Sequence, residues 1–178
     1  MTESQDPVAV FERVRELEAE IASLVRGLDR ETAIREEDAE FTVLEVEVDE
    51  STYLIPIDQA REVVSMAWPE VVVGAPSWVM GTVSFGSQPA TLIDMAERLH
   101  GHATKLSSEL LMVILEGARW LGLVVTDVGN LREINANDLT TPGSELPCAE
   151  FLLGTVCDDE GRTLPVLSTR RLGHDIHG

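Results

Sequence analysis

The chain predicts a mainly β fold, built as small antiparallel barrels or a sandwich, with one amphipathic helix ahead of it. Three observations point there. Beyond Phe41 the sequence breaks into many short apolar, β-branched runs separated by turn residues. Before it, apolar residues recur at helical spacing. A faint internal repeat then pairs Val79-Met80-Gly81-Thr82-Val83 with Leu152-Leu153-Gly154-Thr155-Val156, and Ile93–Leu99 with Val166–Leu172, at one common offset. Two similar β units follow from this. Each is too small to be comfortable alone, so they should share apolar contacts.

The helix comes first. Val10, Val14, Leu17, Ile21, Leu24 and Leu28 step alternately by four and three, which lays one apolar stripe along a helix with Glu and Arg on the other faces. Asp6-Pro7 supplies an N-cap and a proline at the first helical position. Gly27 weakens its end, and the charged stretch Arg30–Glu40 reads as a solvated linker. The stripe is short for a free coiled coil and must be covered by a partner helix or by the body of the chain.

The β elements follow in order. Phe41–Val48 ends in strict alternation, Asp49-Glu50-Ser51 turns it, and Thr52–Ile57 returns as the second strand of a hairpin. Val71–Val73, Trp78–Phe85, Ala90–Ile93, Leu110–Glu116 and Trp120–Val128 read as further strands, with Gly117-Ala118 between the last two. Phe151–Cys157 and Thr163–Leu167 flank Asp158-Asp159-Glu160-Gly161, a turn composition. Trp68, Trp78 and Trp120 are expected as core residues or plugs at barrel ends.

Composition narrows the function. Hydrophobic residues form 44% of 178 residues, enough for a core. Acidic residues number 32 against 13 basic, a net charge of -19, and Lys105 is the sole lysine. Such a surface repels phosphate backbones and anionic membranes, so neither nucleic acid binding nor membrane insertion is expected. The apolar runs are too short to span a bilayer. Met1–Asp6 lacks the basic-then-apolar order of a signal peptide, which reads as a cytoplasmic protein.

Little in the sequence points to chemistry. No Gly-x-Gly-x-x-Gly or phosphate-binding loop is present, so no cofactor is expected. Gly81-Thr-Val-Ser-Phe-Gly86 places its serine one position away from the nucleophile-elbow pattern, and a hydrolase built on Ser84 with a neighbour such as Asp94 is the weakest reading. His100, His102, His174 and His177 read as surface or tail histidines rather than metal ligands. Cys148 and Cys157 are too few for a disulfide framework and too isolated for zinc.

Three stretches carry a family resemblance. Tyr53-Leu-Ile-Pro-Ile-Asp-Gln-Ala-Arg-Glu-Val-Val64, Pro76-Ser-Trp-Val-Met-Gly-Thr-Val83 with Leu92-Ile-Asp-Met95, and Gly122–Val128 with Leu152–Leu172 stand in the order and spacing of a known pattern. In them, from about Phe41 to Gly173, the chain resembles the bacterial chemotaxis coupling proteins, the CheW-like domain. The resemblance implies two interlocked five-stranded SH3-like β-barrels, placed in residues 37–178 behind a helix and linker in 1–36. The expected split is roughly 41–57 plus 110–150 and 58–109 plus 150–173. It also implies a non-enzymatic signalling adaptor that bridges the cytoplasmic hairpin of a chemoreceptor to the regulatory domain of a histidine kinase. Candidate partner contacts are Ile55, Ile57, Glu62, Val63, Val64, Val83 and Phe85. Val63 and Val64, adjacent on one strand, cannot face the same way.

One departure is sharp. The family's central motif usually ends Asn-Leu-Arg-Gly, whereas this chain reads Ser84-Phe85-Gly86-Ser87. Gly86 stands at the arginine position while the acidic Glu62 is kept, so a possible bidentate contact is lost. An alternative follows, in which the protein no longer binds the kinase and uses the N-terminal stripe to self-associate or to hold another helical partner.

Overall fold

In the computed structural model, residues 40–176 other than 118, 145, 147 and 175 are described. The helix expected over Val10–Leu28, its stripe of Val10, Val14, Leu17, Ile21, Leu24 and Leu28, and the boundary at 36/37 lie outside the described residues.

Among the described residues, ten strands and two short α-helices follow one another along the chain. The first half holds β1 (Glu40–Val48), β2 (Ser51–Pro56), β3 (Ala60–Ser65), β4 (Val79–Phe85), β5 (Gln88–Asp94) and helix α1 (Met95–His100). The second holds β6 (Leu111–Leu115), β7 (Trp120–Val125), β8 (Asp127–Asn135), β9 (Leu152–Cys157), β10 (Thr163–Leu167) and helix α2 (Thr169–Leu172). They form two five-stranded sheets, ordered β8-β1-β2-β10-β9 and β3-β6-β7-β5-β4.

The two orders are the same order. In each sheet a hairpin from one half, β1–β2 or β6–β7, lies between strands from the other half. The single parallel neighbour falls at the equivalent place, β2 beside β10 and β7 beside β5. Each half therefore lends its hairpin to the other, and the barrels are interlocked. This differs from the expected split. Residues 111–125 join 60–94, while 127–167 join 40–56. The reason lies at Thr126, where the expected strand Trp120–Val128 breaks. Its N–H and hydroxyl both bind the carbonyl of Glu47, at 2.8 and 2.9 Å, and the chain passes from one sheet into the other.

The internal repeat is structural. Thr82 exchanges backbone hydrogen bonds with Glu70 in the same way that Thr155 does with Thr140, and each pair lies beside a repeated glycine. A Cβ on Gly81 would stand 2.2 Å from the Glu70 carbonyl oxygen, and one on Gly154 would stand 3.0 Å from that of Thr140. Both repeats then cap a helix. Asp94 accepts the N–H of Glu97, and Ser168 accepts that of Arg171.

Three apolar clusters show how the barrels share a core. Val43, Leu54, Val156, Leu164 and Val166 fill the first barrel, and Val83, Ala90, Leu92, Leu110, Met112, Ile114 and Val124 fill the second. Between them a larger cluster joins Leu44, Val46, Tyr53 and Ile55 to Ile93, Val113, Leu123, Leu152 and Leu172. Central strands are thus buried on both faces, which is why Leu-Met-Val-Ile-Leu over β6 shows no alternation. The Arg98 guanidinium adds a joint across the barrels, 3.8 Å from the Trp78 ring and 4.4 Å from that of Phe151.

Candidate interaction surface

Strand β3 ends its sheet and pairs only with β6, from Ala60 opposite Leu115 to Ser65 opposite Leu111, with a bulge between Ala60 and Glu62. Its opposite edge carries backbone donors and acceptors that no other strand takes up among the described residues. Arg61, Glu62 and Val63 are exposed, and Val64 is half-buried against the second barrel's core. The pleat separates the two valines as the period of two requires. Val63 keeps 38% of its surface open.

Beyond β3 the chain crosses to β4 and stays apolar on the outside. Glu70 is fixed there, its N–H giving a 2.8 Å bond to the Thr82 carbonyl. Trp68 on one side of it is 77% exposed, while Val71 and Val73 on the other reach 81% and 96%. Gly74, at φ +83°, turns the chain back. These residues run against expectation. Val71–Val73 form no strand, because the only ladder contact in this stretch is the single bridge at Glu70, and Trp68 plugs nothing. Trp78 and Trp120 are half-buried, packed on the shared core and on the second barrel's core.

The nominated contacts divide. Glu62 and Val63 lie on the surface, side by side on β3. Ile57 and Phe85 are half-buried, Ile57 against the shared core and Phe85 with its ring 5.8 Å from that of Trp120. Ile55 and Val83 are corrections. Ile55 lies wholly inside the shared core, opposite Leu44, and Val83 inside the second barrel, opposite Ala90. Neither has a surface to offer. Both sit on strands whose inward face is the apolar one, so the motif that marks them is a packing motif. Trp68 and Val71–Val73 were missed as surface residues. Their signal was a run of four apolar positions around Pro69 and Glu70 with too little length for a strand.

No catalytic constellation assembles around Ser84. Ser84 is exposed on β4 opposite Pro89, and the Asp94 carboxylate is committed elsewhere. Its Oδ1 accepts the Glu97 N–H at 3.1 Å and the Thr104 hydroxyl at 2.6 Å, and its Oδ2 accepts the Thr104 N–H at 2.9 Å. Gly86 lies in the β4–β5 turn at φ +59°, a backbone conformation that an arginine would adopt only with strain. Cys148 is buried and Cys157 exposed. Among the described residues no helix is long and apolar enough to cross a membrane.

A second grouping lies at the junction of the barrels. The Asp49 carboxylate, in the β1–β2 turn, meets His100 Nδ1 at 2.9 Å and His102 Nε2 at 3.4 Å. His100 Nε2 in turn lies 2.8 Å from the Tyr53 hydroxyl. Burial pushes that hydroxyl well above the usual tyrosine range, with Cys148 and Asp49 adding to the effect, so it stays protonated.

The architecture defines the class. Two interlocked barrels with an open strand edge and no assembled catalytic group among the described residues are the form of a scaffold. The family is also explicit: the CheW-like domain model matches residues 42–177, and the chain belongs to that family. A solved structure described as the scaffolding protein TtCheW from Thermoanaerobacter tengcongensis is similar in fold. It shares 17% identity at a TM-score of 0.67, over 80% of this chain and 91% of that one. A comparison with curated proteins found no match.

Proposed function

We propose that this protein is a non-enzymatic chemosensory signalling adaptor, coupling the cytoplasmic hairpins of chemoreceptors to the regulatory domain of a histidine kinase. It would work in the cytoplasm, recruited to receptor arrays. Membership of the CheW-like family supports the reading, and the observation that carries it is the β3 edge. There Val63 and Glu62 present an apolar and an acidic contact on a strand with free backbone groups, the arrangement that strand-to-strand or helix docking uses. The mechanism is stoichiometric: aliphatic faces bury against partners, and several modest contacts add by avidity. Calorimetric titration against a receptor hairpin and, separately, a kinase regulatory domain tests it. Binding to both, weakened at least tenfold by Val63→Glu with an unchanged melting temperature, is the expected result. Failure of the folded protein to bind either partner overturns it.

A second reading rests on Gly86, which stands at the family's arginine position in a left-handed turn. On that reading the protein has left the kinase and uses Val10–Leu28 for self-association or another helical partner. Receptor binding without kinase binding, combined with a change of oligomeric state on truncation before Glu37, selects it.

A further inference from the structure

We propose that Asp49, His100 and His102 form a binding site for a divalent transition ion, with Zn²⁺ as the best match. The site is independent of the adaptor reading. Its three candidate ligand atoms, Asp49 Oδ2, His100 Nδ1 and His102 Nε2, all lie within 4.8 Å of one another. Around a tetrahedral zinc with bonds of about 2.0–2.1 Å, neighbouring ligand atoms stand about 3.3 Å apart. The carboxylate oxygen already stands 2.9 Å and 3.4 Å from the two nitrogens. The third separation, between the two nitrogens, is within 4.8 Å, and the exposed His102 has room to rotate and shorten it.

The surroundings favour ligation over a bare ion pair. Metal-bound histidines hold their far nitrogen on a hydrogen-bonding partner, which fixes ring and tautomer. Tyr53 stands in that place, its hydroxyl 2.8 Å from His100 Nε2. Without metal the neutral ring donates Nδ1–H to the Asp49 carboxylate and accepts from Tyr53 at Nε2; on ligation it takes the other tautomer, with Nε2–H donated to the tyrosine oxygen and the Nδ1 lone pair on the ion. The two carriers of the ligands are held as well. Asp49 lies in a turn whose carbonyls accept the Thr126 hydroxyl. Gly101, at φ +77°, closes α1 with a bond to the Glu97 carbonyl and so places one histidine on each side of itself. Imidazole with one carboxylate suits zinc, nickel or copper rather than magnesium or calcium.

The site bridges the barrels. Asp49 and Tyr53 come from the β1–β2 hairpin of the first sheet, whereas His100 ends α1, which follows β5 of the second, and His102 lies just beyond it. A bound ion clips one barrel to the other and stabilises the folded chain by mass action.

The test is calorimetric titration of the untagged full-length protein with Zn²⁺, followed by thermal melting. One equivalent bound at micromolar strength is expected, with a rise in melting temperature of about 3 °C or more at saturating zinc. His102→Ala and Asp49→Asn should each weaken binding at least tenfold, while His174→Ala, at the other histidine pair, should not. Mg²⁺ should give neither heat nor stabilisation. His102 and Asp49 are surface residues, so both variants are expected to fold, and their melting without metal verifies it. No binding at 100 μM Zn²⁺ overturns the proposal, as does binding that both variants leave within twofold of the parent.

Discussion

The two edge strands β3 and β8 occupy the same place in the two sheets, and each mixes exposed charge with one exposed aliphatic residue, Val63 on β3 and Leu131 on β8, yet they are anchored differently. β8 runs for nine residues and is tied across to β1, where Glu45 pairs with Arg132 and its other oxygen accepts the Asn130 N–H at 3.4 Å. Its exposed positions include Asp127 and Glu133, charges of the kind that blunt an edge against further pairing. β3 is shorter, its one ion pair, Arg61 with Glu116, is loose at 3.7 Å and exposed, and it leads into the open valines after Glu70. The repeat therefore keeps the glycine, the bridge and the helix cap in both halves and differs at the sheet edges. A solvated ion pair such as Arg61–Glu116 adds little to stability, which leaves this edge free to be shaped by binding.

The comparison breaks most visibly at the repeated glycines. Gly81→Ala places a methyl group against the Glu70 carbonyl at φ +140°, and we expect a loss of about 3 kcal/mol or more, or failure to fold. Gly154→Ala meets its neighbours at 3.0 Å and should cost about 1–2 kcal/mol by urea unfolding. Equal costs at the two positions would show that the halves are strained alike and would break the comparison. Comparable with Gly81→Ala is Ile55→Ala, expected to lose about 2–5 kcal/mol because it empties part of the shared core. Val63→Ala, by contrast, should stay within about 0.5 kcal/mol of the parent. A large effect of Val63→Ala on unfolding would make β3 a structural strand rather than a docking edge. Arg98→Ala tests the joint between the barrels, and removing its contacts with Trp78 and Phe151 should cost about 1–2 kcal/mol.

The smallest effect lies in the β9–β10 turn. Desolvation works to raise the Asp158 carboxyl, but the backbone N–H and guanidinium of Arg162 outweigh it and hold it below the usual carboxylate range. A lowered folded value means that its stabilisation is complete above the unfolded carboxylate range and fades as pH falls through the folded one. Asp158→Asn should thus reduce the melting temperature slightly at neutral pH and leave it unchanged below the folded value. A difference that grows on acidification would reverse the sign and refute the assignment.

Much of the fold was legible because its signals are local. The turn residues at Asp158–Gly161, the apolar runs of β6 and β7, the alternation of β1 and the repeated glycine each follow from a few neighbouring positions. Of the seven nominated contacts, Glu62 and Val63 are exposed. Ile55 and Val83 were misplaced because a period of two says which residues share a face but not which face is covered. Trp68 was misplaced because a large apolar residue reads as core until its neighbours are seen.

The sequence by itself determined most of the strands other than β3 and β8, the two-unit repeat and the acidic net charge, since these rest on propensity, turn chemistry and summed charge. Only the tertiary structure decided that each half lends a hairpin to the other, that β3 and β8 each end a sheet, and that Asp49 meets two histidines about fifty residues away. Those are contacts between distant segments. They depend on how the apolar faces of both halves are buried together, which no local pattern specifies.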